Sequence, residues 1–277
     1  MSVAKVPGRK DETLFQNAIK QWWKSKKVNA KGITQAQGGT RDANLRGDTM
    51  DGFRDVIIEH LLSVGVREDD IYFGAGLSNL AANLPSYFRV TKNWDVVVCK
   101  NAHHKRILNP RLDETTLIAT VEFKSQEKSI GNNQNNRMEE SIGNAQDFWA
   151  SYENKNFLRL MRRPWLGYLF VGRYGEGDEH TTVKIRQPII PVDPAFAGSD
   201  PGARTLVTNF PGPSYADRYK IFLERMIAKK LYDGACFLVT HEKIAKQVPN
   251  YRVLFPHLSG EAFIDALSRH VKAYYFD

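Results

Sequence analysis

Hydrophobic positions recur along this chain with two different periods. Over 11–27, Leu14, Phe15, Ala18, Ile19, Trp22 and Trp23 fall at helical spacing, which predicts an amphipathic helix whose tryptophans pack in a core or a subunit contact. The period recurs over 48–64, with Met50, Phe53, Val56, Ile57, Leu61 and Leu62 inward. It then shortens. Residues 93–98 and 117–124 are short, apolar and rich in valine and isoleucine, and they predict strands that can pair side by side. Helical spacing returns in Met138, Ile142, Ala145, Phe148, Trp149 and Tyr152, with Asn136 as N-cap and Glu139 completing a capping-box-like start. Residues 164–171 and 234–240 read as buried strands, and 215–231 and 260–274 as helices. With no repeat and no clear linker, the pattern predicts an α/β fold over 1–277: a mixed sheet flanked by helices, in one domain. Its central part is about 48–171, followed by a loop-rich elaboration over 172–213 and a C-terminal helix–strand–helix over 214–277.

Composition narrows the class. The 277 residues are 42% hydrophobic and 25% charged, enough for a sizeable core. The net charge of +8 favours a polyanionic partner such as nucleic acid or a membrane surface. Cys99 and Cys236 each sit in or beside an apolar run, which predicts buried thiols and not a disulfide, as in a reducing cytoplasm. No signal-peptide core and no run of membrane-spanning length is present, so the chain reads as a soluble cytoplasmic protein.

The candidate chemistry lies at 93–124. In the second strand Val121 and Phe123 point to one face, and Glu122 and Lys124 to the other. Pairing with the first strand lets Asp95 and Glu122 meet. Two carboxylates there make a hard-oxygen site suited to Mg²⁺ or a similar divalent ion, with Lys124 beside it. That set suits attack of water on a phosphodiester. The same residues also fit a polar hairpin face with an ordinary Glu-Lys pair. Asp51 and Glu59 lie eight residues apart, roughly two helical turns, so either can add a carboxylate to the metal site or simply be solvated. Glu139 is a further candidate.

Two polar segments carry nucleic-acid signals. The glycine-rich stretch 31–48 holds Arg41 and Arg46, which can fork onto guanine edges or phosphates or sit in a plain surface loop. The polar connection after 100 holds His103, His104, Lys105 and Arg106 and reads as an exposed basic loop. Asn132, Asn133, Asn135, Asn136 and Arg137 are a loop-to-helix cluster. Asparagine pairs with adenine in the major groove, and a cap needs one asparagine and not four.

Three blocks resemble the XhoI-type type II restriction endonucleases: GGTRDANLRGDTMDGF, YFRVTKNWDVVV followed by VEFKSQ, and GNNQNNRMEESIGNAQDFW. The resemblance covers about 38–171. It implies a PD-(D/E)xK core dependent on Mg²⁺, with Asp95 and Glu122 as metal ligands, the carbonyl of Phe123 near the metal, and Lys124 as catalytic lysine. The motif's proline is absent, and Trp94 precedes Asp95. The resemblance further implies double-stranded DNA as substrate, a palindromic CTCGAG-type target, and functional pairing with a DNA methyltransferase without a stable complex. A palindrome fits a C2 homodimer. Two alternatives stay open: a structure-specific or repair nuclease on the same core, and a DNA-binding protein that does not cleave.

Overall fold

The computed structural model describes residues 14–32, 50–73, 82–101, 115–127, 130–154, 157, 162–175, 179, 183–186, 192–196 and 209–276. Its centre is a five-stranded mixed sheet. The strands are β1 (Ile71–Phe73), β4 (Val96–Asn101), β5 (Thr115–Gln126), β6 (Trp165–Arg173) and β9 (Gly234–Thr240), in the order β1-β4-β5-β6-β9. β1, β4 and β5 pair antiparallel, while β5, β6 and β9 pair parallel. Every residue of β6 except its last is buried, as a strand covered on both faces requires.

Strand alternation divides the core into two layers. One face sends Val96, Val98, Val121, Phe123, Leu169 and Cys236 against helices α1 (Gln16–Gly32), α2 (Asp51–Ser63) and α5 (Gly260–Tyr274). The other sends Val97, Tyr168, Phe170, Phe237 and Val239 against α3 (Ile130–Glu153) and α4 (Tyr215–Ala228). The first cluster holds residues from Phe15 to Tyr275, so the first and last of the described segments share one core. Ser214 and Ser259 start α4 and α5 by accepting the N–H groups of Asp217 and Ala262, each at 3.1 Å. Two small antiparallel pairs lie outside the main sheet: β2 (Asn83–Pro85) with β3 (Thr91–Asn93), and β7 (Val183–Arg186) with β8 (Asn209–Gly212).

The predicted stripes hold for α1, where Phe15, Ala18, Ile19, Trp22 and Trp23 are all buried. In α2, Leu62 is 41% exposed and not inward. The largest difference is in α3. It begins at Ile130, so Asn136 is not its cap and the asparagine cluster rides on the first two helical turns instead of a loop. Tertiary anchoring extends the helix: Ile130 is buried, its carbonyl accepts from Gln126 Nε2 at 3.1 Å, and buried Gln134 donates to the carbonyl of Tyr215 at 2.7 Å. The inward face is rotated accordingly. Gln134, Ser141, Asn144, Ala145 and Phe148 point in, and Ile142 points out at 40% exposure. Cys99 and Cys236 are both free thiols, the first half-buried and the second buried. Among the described residues no helix is long and apolar enough to cross a membrane.

Candidate active site

The strand β5 builds the site through its two-residue period. Phe123 enters the layer of α1, α2 and α5, which leaves Glu122 and Lys124 on the opposite face under α3. Asp95 stands at the bend between β3 and β4 and is fastened to β5 twice. Its N–H donates to the carbonyl of Val121 at 3.2 Å, and its Oδ2 accepts the N–H of Phe123 at 2.6 Å. The antiparallel register that pairs Val96 with Val121 makes this possible. Asp95, Glu122 and Lys124 therefore come together.

Glu122 is 1% exposed and surrounded by donors. Its Oε1 accepts from Asn144 Nδ2 at 2.6 Å and lies 3.3 Å from Lys92 Nζ and 3.2 Å from Lys124 Nζ. Its Oε2 accepts from the hydroxyl of Tyr232 at 2.6 Å. Burial alone would raise the Glu122 carboxyl. The two ammonium groups and the tyrosine hydroxyl outweigh it and hold the carboxyl below its ordinary value. Asp95 behaves oppositely: burial first, then the charge of Glu122, push it up to about 6 against the opposing Phe123 N–H bond. Lys124 bridges Glu122 to Glu140, whose Oε1 is 2.6 Å from Nζ. Burial would lower this lysine, but the two carboxylates hold its proton more firmly than usual.

Lys92 reaches the site from β3, its ammonium 4.2 Å above the ring of buried Trp94. Asn144 couples the site outward, since its Oδ1 accepts from Arg89 at 3.2 Å. One helical turn on, Asp147 accepts the N–H groups of Tyr87 and Phe88 at 2.8 and 2.9 Å and pairs with Arg89 at 2.7 Å. These contacts fasten the turn of the β2–β3 hairpin to α3.

The remaining sequence-predicted residues fall elsewhere. Asp51 pairs with Arg54 at 2.6 Å and Glu59 is exposed; their helix α2 packs on the sheet face opposite Glu122. Glu139 is exposed, and its neighbour Glu140 reaches Lys124. Arg41, Arg46, His103 and His104 lie outside the described residues, as does the side chain of Asn132. Asn133, Asn135 and Asn136 are exposed on α3. Asn135 accepts from Arg218 of α4 at 3.0 Å, and Arg137 pairs with Glu140 at 2.8 Å. Sequence reading missed Lys92, Glu140, Asn144, Asp147 and Tyr232. A signal existed on α3: Ser141, Asn144 and Asp147 recur every third residue on a helix whose same side carries Ala145 and Phe148.

Among the described residues no three histidine, cysteine, aspartate or glutamate side chains gather as a metal cluster. The carboxylates brought together are Asp95, whose Oδ2 takes one N–H, and Glu122, whose Oε2 takes one hydroxyl; both offer hard oxygens. A small divalent cation that keeps most of its own water needs few protein ligands, so these residues fit one.

The family model for restriction endonuclease XhoI matches residues 29–251. The chain is 34% identical over 234 residues to the type II restriction enzyme BstVI of Geobacillus stearothermophilus, covering 81% of this chain and 91% of that one. It is 30% identical over 220 residues to the type II restriction enzyme XhoI of Xanthomonas vasicola, covering 79% of this chain and 76% of the relative. With the type II restriction enzyme AbrI of Azospirillum brasilense the identity is 32% over 164 residues, 58% of this chain and 65% of the other. No solved structure matches the chain.

Proposed function

This chain belongs to the XhoI restriction endonuclease family and is a type II restriction enzyme, and on that premise we propose how it cuts. The substrate is double-stranded DNA with a palindromic target of CTCGAG type. The whole chain acts as a single endonuclease domain and works as a C2 homodimer, one site per strand. A cognate methyltransferase protects the host's own sites without forming a stable complex.

Asp95 and Glu122, with the carbonyl of Phe123, would hold Mg²⁺. When bound, the ion offsets charge on the scissile phosphate and lowers the pKa of a water. Lys124, kept as an ammonium by Glu122 and Glu140, orients that water and places positive charge beside the phosphate oxygens. Tyr232 and Asn144 fix the rotamer of Glu122 by donating to its two carboxylate oxygens. Salt-dependent phosphate affinity comes from the basic surface, with Arg41, Arg46 and the asparagines of α3 as candidates for reading bases.

The convergence of Asp95, Glu122 and Lys124 on one face of β5 carries this reading. It is tested by digesting phage DNA with purified protein and Mg²⁺, beside Glu122→Gln. Discrete fragments from the wild type alone, with ends mapping to one palindrome, are the expected result. A smear would indicate a nuclease without sequence choice. Retained gel-shift binding with no cutting would remove the catalytic assignment.

A further inference from the structure

The turn of the β2–β3 hairpin presents the most exposed apolar side chains described in the molecule. Phe88 is 73% and Val90 89% exposed, with Tyr87 at 49% packed edge-on against Phe88 at 4.9 Å. Apolar groups left in water at a loop tip normally fray. Here the tip is held rigid, because buried Asp147 accepts two successive backbone N–H groups and pairs with Arg89. A rigid, exposed aromatic tip is arranged to meet a partner.

Position and charge indicate which partner. The strand leaving the tip runs through Lys92, whose ammonium is 3.3 Å from Glu122, and then to Asp95. Val90 is two residues before Lys92, about 7 Å along an extended strand, which is less than the width of a major groove. A duplex with its scissile phosphate at Asp95 and Glu122 has the tip within reach. Residues 82–93 carry no acidic side chain, and their Arg89 and Lys92 are each paired with a carboxylate, Asp147 and Glu122, so the segment brings no unpaired negative charge to a polyanion.

Resting on the active-site reading above, we infer that Tyr87, Phe88 and Val90 form a wedge that packs into the DNA duplex beside the scissile phosphate and partly unstacks a base step. Proteins that deform DNA insert such apolar side chains between bases. Asp147 holds the wedge upright. Asn144, bonded to both Arg89 and Glu122, ties its position to the catalytic carboxylate.

The test uses duplexes containing the mapped cleavage site, with 2-aminopurine placed in turn at each step in and beside it, and Ca²⁺ replacing Mg²⁺ to prevent cutting. Wild-type protein is expected to raise the fluorescence at one step severalfold. Phe88→Ala and Val90→Ser are expected to abolish the rise and weaken binding about tenfold, the scale of one lost stacking contact. Phe88→Trp is expected to restore both. Unchanged binding and fluorescence in Phe88→Ala overturns the inference. So does conversion of a dimer to a monomer by Phe88→Ala in light scattering without DNA, which would assign the tip to a second copy of the chain. Cleavage by wild type and its loss in Glu122→Gln report separately on the active-site reading, whatever the tip does.

Discussion

Replacing Asp95 by asparagine should make the protein more stable while destroying its activity. The carboxyl is pushed from an ordinary 3.8 up to about 6, by burial and then by the charge of Glu122. Folding therefore favours its protonated form. This advantage is complete below pH 3.8 and is lost as pH rises through 6, so at pH 8 the ionised group opposes folding. At about 1.4 kcal/mol per pH unit the full penalty is about 3 kcal/mol. Asp95 is half-buried, and solvent screening reduces this to about 1–3 kcal/mol. Asparagine removes the charge and can still accept the N–H of Phe123 through its amide oxygen. In EDTA at pH 8 the variant should melt about 3–8 °C above wild type, and near pH 5 the gap should shrink to roughly half. Added Mg²⁺ should raise the wild-type melting temperature and leave Asp95→Asn unchanged. A variant that melts at or below wild type at pH 8 in EDTA would refute the reasoning, because the carboxylate would then carry no penalty for a metal to relieve.

Lys124→Met should lower kcat by roughly 100- to 1000-fold while DNA affinity in Ca²⁺ stays within a few-fold, as read by single-turnover cleavage and gel shift. Tyr232→Phe deletes one buried hydroxyl bonded to an ionised group, so urea unfolding should show a loss of about 1.5–3 kcal/mol. Asp147→Ala leaves two backbone N–H groups of the hairpin turn without their acceptor, and trypsin should then cut after Arg89 several times faster than in wild type, with a stability loss of about 1–3 kcal/mol.

What the sequence reveals depends on whether the deciding forces are local. The strand Gly234–Thr240 and the helix Gly260–Tyr274 are legible to the residue, because apolar period, the Ser259 cap and the apolar run agree. The two-residue period of β5 likewise separates Glu122 and Lys124 from Phe123 by spacing alone. The start of α3 is not legible in this way. Asparagine is a strong capping residue, so Asn136 looks like a beginning, but Ile130 and Gln134 are anchored by Gln126 and Tyr215 and carry the helix past it. The partners of Glu122 are hidden for a related reason. Lys92, Asn144 and Tyr232 lie 30, 22 and 110 residues away in sequence, and Tyr232 reads as one more core aromatic until β9 aligns beside β6.

The arrangement around Glu122 is hard to explain as scaffolding. Taking a carboxylate and its cations out of water is expensive, and well-packed apolar groups of similar size stabilise a core at least as well. Yet this core commits Glu122, Lys92, Lys124, Asn144 and Tyr232 to one polar knot between β5 and α3. Its two acids are also driven in opposite directions: Glu122 is held ionised by cations, and Asp95 is pushed towards protonation. Paired carboxylates whose surroundings separate them in this way commonly divide the work of a site. Under the proposed function, Glu122 would supply a fixed, ionised anchor. Asp95, which burial and the charge of Glu122 push up despite the Phe123 N–H and the nearby Lys124 and Lys92, would gain most from a bound cation, and on the proposed function it would couple metal binding to the stability of the β4–β5 pair.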